Sequence, residues 1–341
     1  MKTVLVTGHD GYIGSILCPL LATSGYRVRG YDSHFFHDCL MGEKIPDIDS
    51  RRCDIRDIGP QDLEGIDAVI HLAALSNDPI GNLNNTWTED INNQASIHLA
   101  RLAKDAGVER FLFSSSCIMY GASEAEVVNE DSPLDPRTIY ARSKVESERA
   151  ISDMAEPGFS PVFVRNGTVY GLSPRMRLDT VFNDLMASAV TTGKVVVYSD
   201  GKPWRPVMHI KDLVRTFLQY LEAPVDKIHN QAFNNGAEEL NRQIIELAEI
   251  ACQTVSGAEL VVESQSGADQ RTYKADFTKF ATTFPDFRFE WNAESGAQEL
   301  LAAYRAVNLS NEDRCGYKFV RLRGLNRLLK NGQLDGALRW Q

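Results

Sequence analysis

VTGHDGYIGS, residues 6–15, decides how the rest of the chain reads. Gly8, Gly11 and Gly14 stand three apart behind a short run from Lys2 to Val6, and a helical pattern follows them. Glycine permits a tight turn and lets a ligand approach the backbone closely. A helix beginning there offers free N–H groups and the positive end of its dipole. Strand, GxxGxxG and helix in that order match the setting in which a dinucleotide's pyrophosphate is held. A plain strand–helix turn is the competing reading, and a second signal argues against it. The next strand candidate ends in Gly30-Tyr31-Asp32, where an acid binds the adenosine ribose hydroxyls and repels a 2′-phosphate. Ser33 and His34 follow with no arginine to receive such a phosphate, which favours NAD over NADP.

Outward from this turn, short β-branched runs alternate with longer helical patterns. Strands are expected at Thr3–Thr7, Arg27–Tyr31, Ala68–Leu72, Arg110–Ser114 and Pro161–Arg165, with helices near 12–24, 88–106 and 138–155. That rhythm implies an α/β, Rossmann-type, doubly wound parallel sheet. The runs are apolar throughout, as in strands covered on both faces. After residue 166 the rhythm changes to helical stretches at 178–192, 210–222, 240–255 and 294–308. We expect an NAD-binding domain over 1–166, to which part of the later chain returns, and a smaller mixed α/β substrate lobe over 167–341. The basic tail, with Arg314, Lys318, Arg321, Arg323, Arg327 and Lys330, reads as a solvated face, with an anion site as the alternative.

A net charge of −10 over 341 residues argues against a nucleic-acid or membrane-surface binder. No run reaches the roughly 18 apolar residues of a membrane span, and the N-terminus does not read as a signal peptide. Six cysteines without CxxC spacing read as reduced thiols of a cytoplasmic protein, and no metal site is expected.

Two further stretches carry chemistry. Tyr140-Ala141-Arg142-Ser143-Lys144 sets a phenol and an ammonium on one helix face. A phenol is a poor base at neutral pH, and a neighbouring ammonium favours its phenolate. Ser114-Ser115-Ser116-Cys117-Ile118-Met119-Tyr120-Gly121 puts hydroxyls at the carboxyl end of a strand, where open α/β sheets bind ligands. Serines that merely cap the turn are the alternative.

Together with Asp54-Ile55-Arg56-Asp57, His71-Leu72-Ala73-Ala74, Val169-Tyr170-Gly171, the 204–213 stretch WRPVMHIKDL and the 269–276 stretch DQRTYKAD, these residues carry a resemblance. The chain resembles the extended short-chain dehydrogenase/reductases of the nucleotide-sugar epimerase and dehydratase group, UDP-glucose 4-epimerases among them. The resemblance runs to about residue 310. It implies that Gly8, Gly11, Tyr12, Ile13, Gly14, Asp32, Asp54, Ile55, Leu72, Ala73, Ala74, Asn92 and Ser114 hold NAD. Ser116, Tyr140 and Lys144 match the catalytic set, the last two also touching the cofactor. Arg205 and Arg271 fall where relatives contact the substrate's diphosphate, and a homodimer packed through the 88–106 and 138–155 helices is implied.

Two departures narrow the reaction. Dehydratases of the group place Asp or Glu just after the catalytic hydroxyl, whereas Cys117 and Ile118 stand here, so water elimination is not expected. Thr168 occupies a position where many relatives bind substrate through Asn, and Asn166 lies two residues early. Ser173-Pro174-Arg175-Met176-Arg177-Leu178-Asp179 replaces the usual loop, and Arg175 and Arg177 are candidate anion contacts to the sugar nucleotide. The reading is a nucleotide-sugar 4-epimerase working through a transient 4-keto sugar. A 4-oxidoreductase and a silent NAD-binding scaffold are the alternatives.

Overall fold

The computed structural model describes residues 1–42, 45–76, 78–81, 83–121, 127–263 and 272–341. Seven parallel strands form the main sheet, in the spatial order Gln231–Asn235, Ser160–Asn166, Arg110–Ser116, Ala68–His71, Thr3–Thr7, Arg27–Asp32 and Asp49–Arg52. The strand Thr3–Thr7 pairs with Arg27–Asp32 on one side and Ala68–His71 on the other. Chain order reverses there, which opens a crevice at the carboxyl ends of the strands. Val4, Leu5 and Val6 are fully buried, as the apolar run requires of a central strand. All five strands expected from sequence are present.

Two strands were not expected. Asp49–Arg52 is exposed at every position, so it has no apolar face for a pattern to show. Gln231–Asn235 ends in two asparagines, and Asn234 and Asn235 are buried because tertiary partners satisfy their amides. This strand returns to the main sheet from late in the chain. A three-stranded sheet, Asn241–Gln243, Trp204–His209 and Thr168–Tyr170, lies in the later half. The helix expected over 88–106 is interrupted by a π-helical turn at Glu89–Gln94, a form often found beside functional sites.

The last thirty residues return to the mouth of the crevice. Leu325, Leu334 and Leu338 are buried with Leu75, Ile80 and Ile91. Trp340 Nε1 donates to the carbonyl of Ser33 at 2.6 Å, and Trp87 Nε1 to that of Gly336 at 2.8 Å. No helix among the described residues is long and apolar enough to cross a membrane.

Candidate active site

Gly8 has φ +76°, and a Cβ there would stand 2.8 Å from Ala73 N. A Cβ at Gly14 would stand 2.3 Å from the Gly8 carbonyl oxygen. Gly8 is imposed by the close approach of the chain leaving Ala68–His71, and Gly14 by the turn folding back on Gly8 and His9. The cavity they border is also lined by Gly11, Tyr12, Ile13, Asp32, Ile55 and Leu72–Ala74. Asp32 accepts from the N–H of His34 at 2.7 Å and of Asp10 at 3.1 Å. Burial, and to a lesser degree the charge of Asp10, pushes its carboxyl up, while His9 and the His34 N–H favour its charge. Its oxygens keep lone pairs for further donors such as ribose hydroxyls. A glycine turn that lines the cavity at a helix start, an acid on the second strand and an apolar wall at Ile55 and Ile58 fit an NAD molecule.

A second cavity of about 560 Å³ adjoins the first, sharing Tyr12, Ile13, Leu72, Ala74, Ser76 and Arg177 with it. Such a volume suits a small-molecule ligand. Ser114, Ser116, Tyr140, Lys144, Asn166, Thr168 and Arg205 all line it. The sequence set of hydroxyl, phenol and ammonium is therefore gathered at one wall. Thr138 caps the helix Ile139–Ser152, its hydroxyl accepting from Ala141 N at 3.1 Å. That cap starts the helix just before Tyr140 and fixes the phenol's place on its first turn.

Burial pushes the Tyr140 phenol up to about 12, while the Arg177 guanidinium and a hydrogen bond with Ser116 pull the other way. Lys144 donates to the Ser114 carbonyl at 2.7 Å and lies 5.9 Å from the Tyr140 ring centroid. Burial holds its ammonium down at about 8. Sequence named Lys144 as the cation that favours the phenolate; the structure adds a second, the Arg177 guanidinium.

The unusual 166–179 segment is bolted to the glycine turn. Tyr12 donates from its hydroxyl to the Gly171 carbonyl at 2.7 Å. Ser173 Oγ donates to the Tyr12 carbonyl at 2.7 Å. Arg177 is thereby delivered to the junction of the two cavities, where its Nε donates to Asp179 at 2.8 Å and its Nη1 to Ser76 at 3.0 Å. Asn166 donates to Ser114 Oγ at 3.1 Å and accepts from Asn235 at 3.0 Å.

Three expectations are corrected. Arg175 lines neither cavity; it is buried and pairs with Asp10 at 2.6 Å, so its fork is spent inside the protein. Asn92 does not line the cofactor cavity; fully buried, it clamps the Leu75 backbone, accepting at 2.8 Å and donating at 3.0 Å. Asp54 turns its carboxylate to Arg56 at 2.6 Å and Arg339 at 3.4 Å, leaving Ile55 to line the cavity. Arg271 lies outside the described residues.

Cys117 is fully buried, donates to the Arg165 carbonyl at 3.2 Å and is pushed up to about 12 by burial. Such a thiol is a weak acid at neutral pH, and it lines neither cavity. Sequence reasoning missed Asp78, which lines the second cavity with Ser116 and Tyr140 and whose charge reaches the Tyr140 phenol. Its signal was position alone, a few residues past the end of Ala68–His71. It also missed a cluster in which Asp10, His34 and His37 bring three ligand atoms within 4.8 Å of one another. One oxygen of Asp10 there is held by Arg175.

A family model described as "NAD dependent epimerase/dehydratase family" matches residues 4–236. The UDP-glucose 4-epimerase of Bacillus subtilis (strain 168) is 26% identical over 352 residues, covering 92% of this chain and 98% of its own. UDP-glucuronic acid decarboxylase 1 of Xenopus tropicalis is 25% identical over 287 residues, covering 82% of this chain and 66% of its own. The solved structure of MoeE5 in complex with UDP-glucose and NAD has a TM-score of 0.77 at 25% identity, covering 89% of this chain and 99% of that one. The matched region spans the glycine turn, the serines and the YxxxK helix. This chain belongs to the NAD-dependent epimerase/dehydratase family and is an NAD-dependent enzyme.

Proposed function

We propose that the protein epimerises a nucleotide-diphosphate sugar at C4 through a transient 4-keto sugar. The observation that carries this reading is the convergence of Ser116 and Tyr140 on one cavity with no acid in the two positions after Ser116. Tyr140 takes the proton of the 4-hydroxyl as base, and Ser116 hydrogen-bonds the same oxygen. Bound NAD supplies the hydride acceptor and, on the return, the hydride donor. Lys144 and Arg177 keep the local field positive while the phenol is ionised. Arg205, only 9% exposed in the cavity wall, suits a diphosphate because its planar fork matches two phosphate oxygens. Such an anchor at the phosphate end leaves the sugar ring free to turn over between the two hydride transfers.

Deuterium at C4 tests this. An epimerase keeps the label in both epimers, with no net NADH and no exchange with solvent. Accumulating NADH with a released ketone indicates the 4-oxidoreductase and removes the epimerase reading.

Asp78 favours a second reading. A carboxylate beside the site where a 4-ketone forms is suited to take a proton from the carbon next to it, or to carry one to a leaving hydroxyl. The sequence argument against elimination rests on Cys117 and Ile118, and a carboxylate from another segment weakens it. Solvent deuterium appearing at C5 or C6 of the product, lost in Asp78→Asn, selects this reading over plain epimerisation.

A further inference from the structure

Arg321 begins the helix Arg321–Lys330, beyond the 4–236 stretch that the family model matches. It belongs to the basic tail, yet only 3% of it is exposed. Its Nη2 donates to the Arg175 carbonyl at 2.7 Å, and the guanidinium sits 4.5 Å from the Phe36 ring centroid. Its Nη1 is shielded from solvent and has no hydrogen-bond partner. The backbone N–H of Arg321 donates to Asp179 at 3.2 Å, while the Asp179 side chain is engaged by Arg177 at 2.8 Å. Two more guanidiniums in this neighbourhood, Arg175 and Arg177, have carboxylate partners at 2.6 and 2.8 Å. Among the described residues, Arg321 is given no carboxylate.

The charge of Asp179 reaches this guanidinium without being bonded to it, and a buried cation with no carboxylate on its fork is costly, as is a buried N–H donor left unmade. Burial already works to lower the guanidinium, holding it near 10. Such an arrangement makes sense if an anion arrives from outside the chain. Arg321 lines the cavity of the glycine turn and Asp32 and is absent from the wall of the sugar cavity. The anion that belongs in the first cavity is the cofactor's pyrophosphate.

We propose that Arg321 is a pyrophosphate ligand of bound NAD, supplied from the C-terminal segment to the site that the glycine turn begins. The segment is fixed for this task. Leu325, Leu334 and Leu338 anchor it among Leu75 and Ile91, which line the same cavity. Trp340 fastens its end to Ser33, the residue after Asp32. The N-terminal turn and the C-terminal helix, more than 300 residues apart in sequence, thus grip one diphosphate.

The test measures NAD, ADP-ribose and adenosine binding to wild type, Arg321→Met and Arg321→Lys by calorimetry, with melting temperature recorded without ligand. Loss of a charge-assisted hydrogen bond predicts NAD and ADP-ribose dissociation constants about 10- to 100-fold higher in Arg321→Met. Adenosine, which has no phosphate, keeps its affinity within about twofold. Arg321→Lys falls between, because an ammonium keeps the charge and loses the fork. Without ligand, Arg321→Met melts no lower than wild type, since it removes a buried unpaired cation. NAD affinity in Arg321→Met within about threefold of wild type overturns the inference, as does an equal loss for adenosine, which marks a collapsed pocket. Should Arg321→Met fail to fold, Arg321→Gln is held to the same criteria. A wild-type protein that binds no NAD is a separate failure, of the cofactor assignment itself.

Discussion

Replacing Tyr140 by Phe removes one oxygen and leaves a ring of the same shape, 5.9 Å from the Lys144 ammonium. The cost follows from the oxygen's surroundings. With the phenol at about 12, ionising it at pH 7.5 takes roughly 6 kcal/mol at about 1.36 per unit. The cations around it are there to reduce that cost. Losing a positioned acid–base group costs about 10²- to 10⁴-fold in kcat, or roughly 3–5 kcal/mol of barrier. We expect Tyr140→Phe in that range, measured as turnover of a C4-deuterated nucleotide hexose. NAD content should be unchanged, because Tyr140 lines the sugar cavity and not the cavity of the glycine turn.

The pH profile gives the same reasoning a sharper edge. The working form needs Tyr140 as phenolate and Lys144 as ammonium, yet the phenol lies near 12 and the ammonium near 8. Below about 8, raising pH increases the phenolate fraction while Lys144 keeps its charge, so kcat/KM rises about tenfold per unit. Above about 8, each gain in phenolate is cancelled by a loss of ammonium, and the profile flattens. A bound cationic nicotinamide ring moves the bend to lower pH without changing the sign of the slope beneath it. The rise should vanish in Tyr140→Phe. A variant within about threefold of wild type, or a wild-type profile that falls between pH 5 and 7, refutes the assignment of the base.

Arg177→Gln removes the cation that most favours the phenolate, so kcat at neutral pH should fall and the rising limb should move to higher pH; an unmoved limb contradicts the role. Gly14→Ala forces a Cβ to within 2.3 Å of the Gly8 carbonyl. It should lose NAD binding and melt well below wild type, as a thermal melt with and without NAD will show. Leu338→Ala empties a fully buried site in the C-terminal segment. It should cost about 2–5 kcal/mol in urea unfolding and weaken NAD retention. Light scattering should give the mass of two chains, and a monomer counts against the dimer implied by the resemblance.

The glycine turn, the five expected strands and the YxxxK helix were legible because each is written locally, as a short continuous apolar run, a period of 3.6 or a fixed spacing. Where a side chain turns is not written locally. Arg175 and Arg177 stand two residues apart on one loop and offer the same fork, so sequence named both as anion contacts. Asp10, 165 residues upstream, claims one of them, and the other reaches the cavities. Asn92 and Asp54 fail in the same way, each matching a motif while its side chain is held by Leu75 or by Arg56. Asp49–Arg52 and Gln231–Asn235 escaped because charge and amide groups satisfied by neighbours leave no apolar period.

Arg321 shows the limit from the other side. A run of basic residues past the end of a resemblance reads as solvated, and for Arg323, which is exposed, that holds. Exposure cannot be read from charge alone, because an arginine is buried when something beyond its own stretch makes room for it. Here the Phe36 ring, the Arg175 carbonyl and Asp179, which accepts from its backbone N–H, make that room. Each nearby arginine with a carboxylate partner is accounted for by the chain itself. The one without such a partner marks where a charge is to be supplied by a ligand, and it faces the cavity where the glycine turn makes the same demand.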